Sequence, residues 1–294
     1  MSAASVLSTV AGLAAVAIAC RDIFDSLFHP EGRAAVGRSV SRGVWLAVRR
    51  LAGRRPQTLA LAGPLAMIAV ITTWATLLVV GWALVYLPHV PDGFRVASGA
   101  AGGDLVDALN ISLVSLTTLG FGDVTPEDAW LRLVNPLEAL LGFGLLSASV
   151  SWLLLTYPVL LRRRSLAYEA NLLRREEEET GRNIVDLEPA VAERVYAELT
   201  SRLVAVERDF VSFPITYYFV EADKRFSLAA AAPYLLDMAE RGKSEERPEA
   251  IRLRAHLLEE ALGDLATTTA RGFHRRRGDS AAELLGHYAR DQLR

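Results

Sequence analysis

Residues 59–87 (LALAGPLAMIAVITTWATLLVVGWALVYL) run for 29 positions without a single charge. At about 1.5 Å of rise per residue, a helix of this length crosses the roughly 30 Å hydrocarbon layer with tilt to spare. Residues 133–161 form a second such run with one charge, Glu138, and residues 3–20 just reach spanning length. The average composition, 51% hydrophobic with a net charge of -2, hides two unlike halves. Residues 58–161 carry few charges, whereas 162–294 are crowded with arginine and glutamate. The fold class expected is an all-α membrane protein followed by a cytoplasmic helical bundle.

The segment 3–20 has competing readings. No basic residues precede it, as a secretory signal would require, and "AIAC" only loosely resembles a lipoprotein cleavage site at Cys20. A retained helix is the reading adopted. That single cysteine excludes an intrachain disulfide framework and a cysteine-based zinc site. Arg33, Arg38, Arg42, Arg49, Arg50, Arg54 and Arg55 lie between the first two runs, and Arg162–Arg164 follow the last. Positive-inside logic puts residues 21–57 and 162 onward in the cytoplasm and the N-terminus outside, in the plasma (inner) membrane. Val36, Val40, Val44 and Val48 recur every four residues opposite Arg38, Arg42 and Arg49. A basic amphipathic helix on the inner membrane surface fits, with anionic lipids facing Arg33–Arg55. A voltage sensor would need its arginines inside an apolar span, and these are not.

Between the two long runs stands SLVSLTTLGFGDVTP. Residues 104–116 suit a helix of about 20 Å, too short to cross, with Asp104 as N-cap and Asp107 in the first turn. The chain must then return through Thr117 to Asp123. Irregular backbone at membrane depth survives only where protein buries it or water lines it. Gly120 and Gly122 accept positive φ, which lets successive carbonyls turn toward one axis.

Here the chain resembles the potassium-channel pore-loop superfamily, whose filter reads Thr-x-Gly-(Tyr/Phe)-Gly-Asp; the match is TTLGFGD, after a short helix and between two spans. The resemblance implies a re-entrant pore helix at 104–116 and a selectivity filter at 117–123. Thr118, Leu119, Gly120 and Phe121 would supply carbonyl rings for K+ as permeant ion, with no other cofactor. The Thr118 hydroxyl would add an inner ring, and Thr117, Gly122 and Asp123 would flank them. Phe121 stands where Tyr is commoner, and Val114, Asn110 and Ile111 occupy positions where some members carry an acid and aromatics. The bracing of the filter is therefore expected to differ. One pore loop per chain implies a cyclic homotetramer.

In the second run, Gly142 and Gly144 read equally as a hinge of the inner helix or as close helix packing. Ser147, Val150, Ser151 and Leu154 are candidates for the cavity and inner gate. Glu138 is an ionisable residue within a span, which needs a partner or a water path. A hydrogen bond to the pore helix is preferred over a titrating role. The expected division is an N-terminal span at 1–20, a linker at 21–57, a pore domain at 58–161 and a cytoplasmic domain at 162–294.

In the last of these, Leu187, Val191, Val195, Leu199, Leu203, Val206 and Phe210 make a helical stripe. Pro214 interrupts, residues 216–242 read as two helices, and 245–271 as another with Ile251, Leu257, Leu258, Ala261, Leu262 and Leu265 apolar. No phosphate-binding turn, cyclic-nucleotide barrel or EF-hand loop is present, so the regulatory ligand is unidentified. The run HRRRGD at 274–279 reads as solvated charge, with no nucleic acid expected, and no arrangement suggests an enzyme. The expected function is a potassium-selective channel. The alternatives are a poorly selective cation channel and a membrane-anchored scaffold with a closed pore.

Overall fold

The computed structural model describes residues 2–28, 34–53, 55–96, 103–274 and 280–293. Arg33, Arg54 and residues 275–279 of the basic segments singled out above lie outside them. In chain order the elements are α1 (Ala3–Phe28), α2 (Ala35–Ala52), the single turn α3 (Pro56–Leu59), α4 (Ala62–Tyr86), β1 (Phe94–Val96) and α5 (Leu105–Leu116). There follow β2 (Val124–Pro126), α6 (Leu131–Thr180), α7 (Pro189–Ser212), α8 (Leu228–Gly242), α9 (Glu249–Thr269) and α10 (Ala281–Gln292). Among the described residues, three helical segments are long and apolar enough to cross a membrane: Ala3–Leu27, Pro56–His89 and Leu131–Thr180. The chain is a multi-pass membrane protein of almost wholly helical structure. Its only strands among the described residues are β1 and β2, an antiparallel pair with Arg95 opposite Thr125.

The chain divides into two units. The first comprises, among the described residues, 2–28, 34–40, 68–96 and 103–154. Its α1 and α4 run antiparallel. The Ser8 hydroxyl donates to the Leu84 carbonyl at 2.7 Å, and Gly12 and Gly81 meet so closely that a Cβ on Gly12 would collide with the Gly81 carbonyl oxygen. Small residues at such a crossing let two backbones approach in lipid, where tails compete equally for apolar contact. Further along, buried Asp22 accepts from the Trp74 indole at 2.8 Å and from the amides of Val36 and Gly37 at 2.9 Å each. Two of the orphan donors at the start of α2 are thereby satisfied. A core of Trp82, Val85, Tyr86, Val90, Phe94, Ile111 and Leu131 fills the space among α4, β1, α5 and α6.

The second unit comprises, among the described residues, 41–53, 55–67, 155–274 and 280–293. Here α9 packs against α7, α8 and α10, with Leu199 and Leu203 of α7 and Leu258, Leu262 and Leu265 of α9 fully buried. The stripe expected on α7 holds from Leu199 onward but slips before it. Ala192 and Tyr196 are buried there, while Val191 is exposed. The helix begins only at Pro189, and Tyr196 reaches inward to donate to the Met238 carbonyl at 2.7 Å. Leu257 is likewise exposed on α9. The stretch 214–227 forms two short 3-10 turns ahead of the single helix α8, in place of the first of two expected helices. A third difference concerns α2. Trp45 and Val48 are buried, Trp45 against Tyr217 and Tyr218, so protein covers part of the face expected to meet lipid.

Arg162–Arg164 are also engaged. Arg162 forms a forked pair with Asp209 at 2.9 and 2.6 Å. Buried Arg163 donates to the carbonyls of Thr216 and Phe219, and Arg164 donates to Glu221 at 2.8 Å. Arg163 therefore ties the 3-10 turn at 214–218 to α6, while Arg162 and Arg164 tie α6 to α7 and to Glu221.

Candidate functional site

The first unit builds its site from α5 outward. Asp104 caps the helix, accepting from the amides of Val106 at 2.9 Å and Asp107 at 3.0 Å, while Asp107 reaches back to complete a capping box. The other end closes just as definitely. The Leu119 amide donates to the Val114 carbonyl at 3.0 Å and the Thr118 amide to the Ser115 carbonyl at 2.9 Å. These are the two bonds of a Schellman closure, with Thr118 at its left-handed position. Thr118 has φ of 58°. A β-branched residue there is strained by about 1–2 kcal/mol, which glycine would avoid.

Positive φ then recurs at every second residue: 58° at Thr118, 55° at Gly120 and 77° at Gly122. Leu119 and Phe121 alternate with these. Added Cβ atoms at Gly120 and Gly122 would meet nothing within 4 Å, so the two glycines are required by backbone conformation and not by crowding. Leu119 and Phe121 are 59% and 67% exposed in the single chain. The segment ends where β2 pairs with β1.

Three residues of α6 at helical spacing hold α5 from behind. Asn135 donates to the Ser115 hydroxyl at 2.7 Å. Glu138, fully buried, accepts from the Ser112 hydroxyl at 2.6 Å and from the Tyr86 hydroxyl at 2.6 Å. Ser112 also faces the Val79 carbonyl at 2.9 Å. Gly142, one turn on, receives the last turn of α5: a Cβ there would occupy the place of the Leu116 carbonyl oxygen. The stripe Asn135–Glu138–Gly142 thus ties α5 to α6, and Glu138 adds α4. Glu138 and Gly142 stand out in the sequence, whereas Asn135, Ser112, Ser115 and Tyr86 do not. Their signal is a polar residue on an otherwise apolar span, visible only once the partners are known.

The helix α6 is unbroken through Gly142 and Gly144, and Gly144 has open space where a Cβ would lie. Ser147, Val150, Ser151 and Leu154 share one exposed face of the helix. No group of three or more histidine, cysteine or acidic residues is placed to hold a metal among the described residues.

Residues 65–154 match the ion-channel family. That segment runs from within α4 through α5 and the 117–123 turn into α6, and its match bears out the resemblance to the pore-loop superfamily. It covers less than a third of the chain. A curated relative, described as an uncharacterized membrane protein of Bacillus subtilis (strain 168), is 26% identical over 145 residues. The alignment takes in 49% of this chain and 42% of that relative, so the chain spans less than half the length of the protein it resembles. No solved structure matches. The ion-channel segment is thus the part of the molecule that contains the capped short helix, the alternating turn and the α6 stripe behind them.

Proposed function

We propose that four copies of this chain assemble around a common axis and conduct K+ selectively and passively through the segment 117–123. The observation that carries this reading is the alternation of positive φ at Thr118, Gly120 and Gly122 directly after a helix too short to cross. Alternating handedness turns the carbonyls of Thr118, Leu119, Gly120 and Phe121 to one side, where rings of oxygens replace a cation's hydration shell. Leu119 and Phe121 are open in one chain because neighbouring copies cover them in the assembly. In this reading α5 enters from outside as a re-entrant helix and points its negative end at the permeant ion. Ser147, Val150, Ser151 and Leu154 line the inner path, anionic lipids contact the arginines of α2, and residues 162–294 lie in the cytoplasm beneath the plasma membrane. No enzymatic step is assigned.

Flux through liposomes carrying the purified protein tests this. Potassium flux exceeding sodium flux and blocked by barium supports the proposal, and Gly120→Ala abolishes it. Equal sodium and potassium flux in the native protein refutes the selectivity, and absence of flux, both in the full chain and after deletion of 162–294, refutes the pore.

A further inference from the structure

Within the second unit, a cavity of about 210 Å³ opens between α2, the 3-10 turn 214–218, Phe273 and α10. Three guanidinium groups line it: Arg42 and Arg49, seven residues apart on one face of α2, and Arg290 of α10. Among the described residues of the lining, the only acid is Asp291. It is engaged with Arg49 at 3.0 Å and accepts from the Tyr217 hydroxyl at 3.2 Å. Arg290 donates to His287 Nδ1 at 2.9 Å, so that nitrogen serves as acceptor. Arg42 forms no ion pair among the described residues. The cavity therefore carries an excess of positive charge.

Its floor is aromatic and fixed. The rings of Tyr217 and Phe273 stack in parallel with centroids 3.9 Å apart, and Trp45 meets Tyr217 edge-on at 6.3 Å. Tyr217 is 1% exposed and Trp45 4%. Low-dielectric walls behind cationic groups concentrate their field on whatever occupies the space in front.

We infer that this cavity binds a phosphate monoester. Guanidinium forks match the oxygens of phosphate two at a time, and a dianion rewards more than one fork where a carboxylate rewards one. The volume falls short of the roughly 300 Å³ at which pockets begin to enclose drug-sized ligands. It suits a phosphate with a small attached group, the remainder projecting outward. Two sources share that chemistry: the headgroup of a phosphatidic-acid-type lipid, and a soluble phosphomonoester such as glycerol 3-phosphate.

Calorimetric titration of the full-length protein in detergent micelles tests the inference with two probes, sn-glycerol 3-phosphate and dioctanoyl phosphatidic acid. The readout is binding, so it stands or falls independently of ion flux. Saturable binding of either probe is expected, weakened about tenfold by Arg42→Gln and by Arg290→Gln, since one charge-assisted fork is lost in each. Both arginines are exposed, and thermal melting checks that each variant stays folded. Arg42→Lys, which keeps the charge, recovers part of the affinity, and Arg194→Gln on α7 leaves it unchanged. Comparable affinity for both probes assigns a soluble ligand, and binding of the lipid alone assigns the headgroup. Absence of saturable binding for both probes, or equal affinity in the native protein and both Gln variants, overturns the site.

Discussion

The Gly142 α-carbon faces the carbonyl oxygen of Leu116 so closely that no side-chain atom fits between them. One residue lies on the long helix α6 and the other on the last turn of α5, the turn that leads directly into the alternating segment. Gly142→Ala must therefore displace backbone, not a movable side chain. We expect it to lower the melting temperature and to reduce flux, while Gly144→Ala, with nothing within 4 Å, leaves both near the native level. Thermal unfolding and liposome flux of the two variants side by side decide this. Equal behaviour contradicts the packing account.

Glu138 and Ser112 form the second tie between these helices. Ser112→Ala leaves a buried carboxyl oxygen short of a partner, at a cost of about 1–3 kcal/mol. A double-mutant cycle with Glu138→Gln is expected to give a coupling energy of about 0.5–3 kcal/mol, as for residues in direct contact. The same cycle with Tyr86→Phe couples as well, because Tyr86 and Ser112 donate to different oxygens of one carboxyl group. A coupling indistinguishable from zero in both cycles removes Glu138 from the support of α5.

Asp22 satisfies three donors at once: the Trp74 indole and the amides of Val36 and Gly37. Asp22→Ala strands all three in a buried place and is expected to cost more than about 2 kcal/mol, with Asp22→Asn costing less because one acceptor oxygen remains. Urea unfolding followed by tryptophan fluorescence measures both. Native-like stability of the alanine variant rejects this role.

Tyr196, on α7, has its hydroxyl pushed up to about 12 from an ordinary value of 10.0, chiefly by burial. A proton held more tightly in the folded state contributes stability that is complete below the unfolded value. That stability is lost as pH rises toward the folded value. Stability is thus expected to fall between about pH 10 and 12, more shallowly in Tyr196→Phe, which has no proton to lose. Because Tyr217, Tyr234 and Tyr288 are also raised by burial, part of the slope persists in the variant. Melting temperatures across this range give the comparison, and identical slopes refute the assignment.

What the sequence made legible was local. Asp104 with Asp107 three positions on announces a helix start, and Gly120 and Gly122 announce positive φ, because each property resides in one or two adjacent residues. The partners of Glu138 were not legible in this way. Tyr86 lies 52 positions away, and nothing in the periodicity of either helix identifies it. The same holds for Gly12 and Gly81, which read as ordinary small residues until α1 and α4 are brought together. On α7 the valines suggested one face and the structure chose another, because the large inward-reaching Tyr196 outweighs two β-branched side chains at a helix start. Covering of Trp45 by Tyr217 and Tyr218 was equally invisible, since an amphipathic face looks the same whether lipid or protein completes it.

Thr118 is both the residue that closes α5 and the first member of the alternating series, so helix end and series share one phase. The chain has no slack between them to absorb an insertion or deletion. Removing one residue between Ser115 and Gly120 would move the left-handed positions onto residues that carry side chains and turn each following carbonyl to the opposite side. The length of this stretch is thus as tightly constrained as its two glycines, because a change in either one breaks the shared phase.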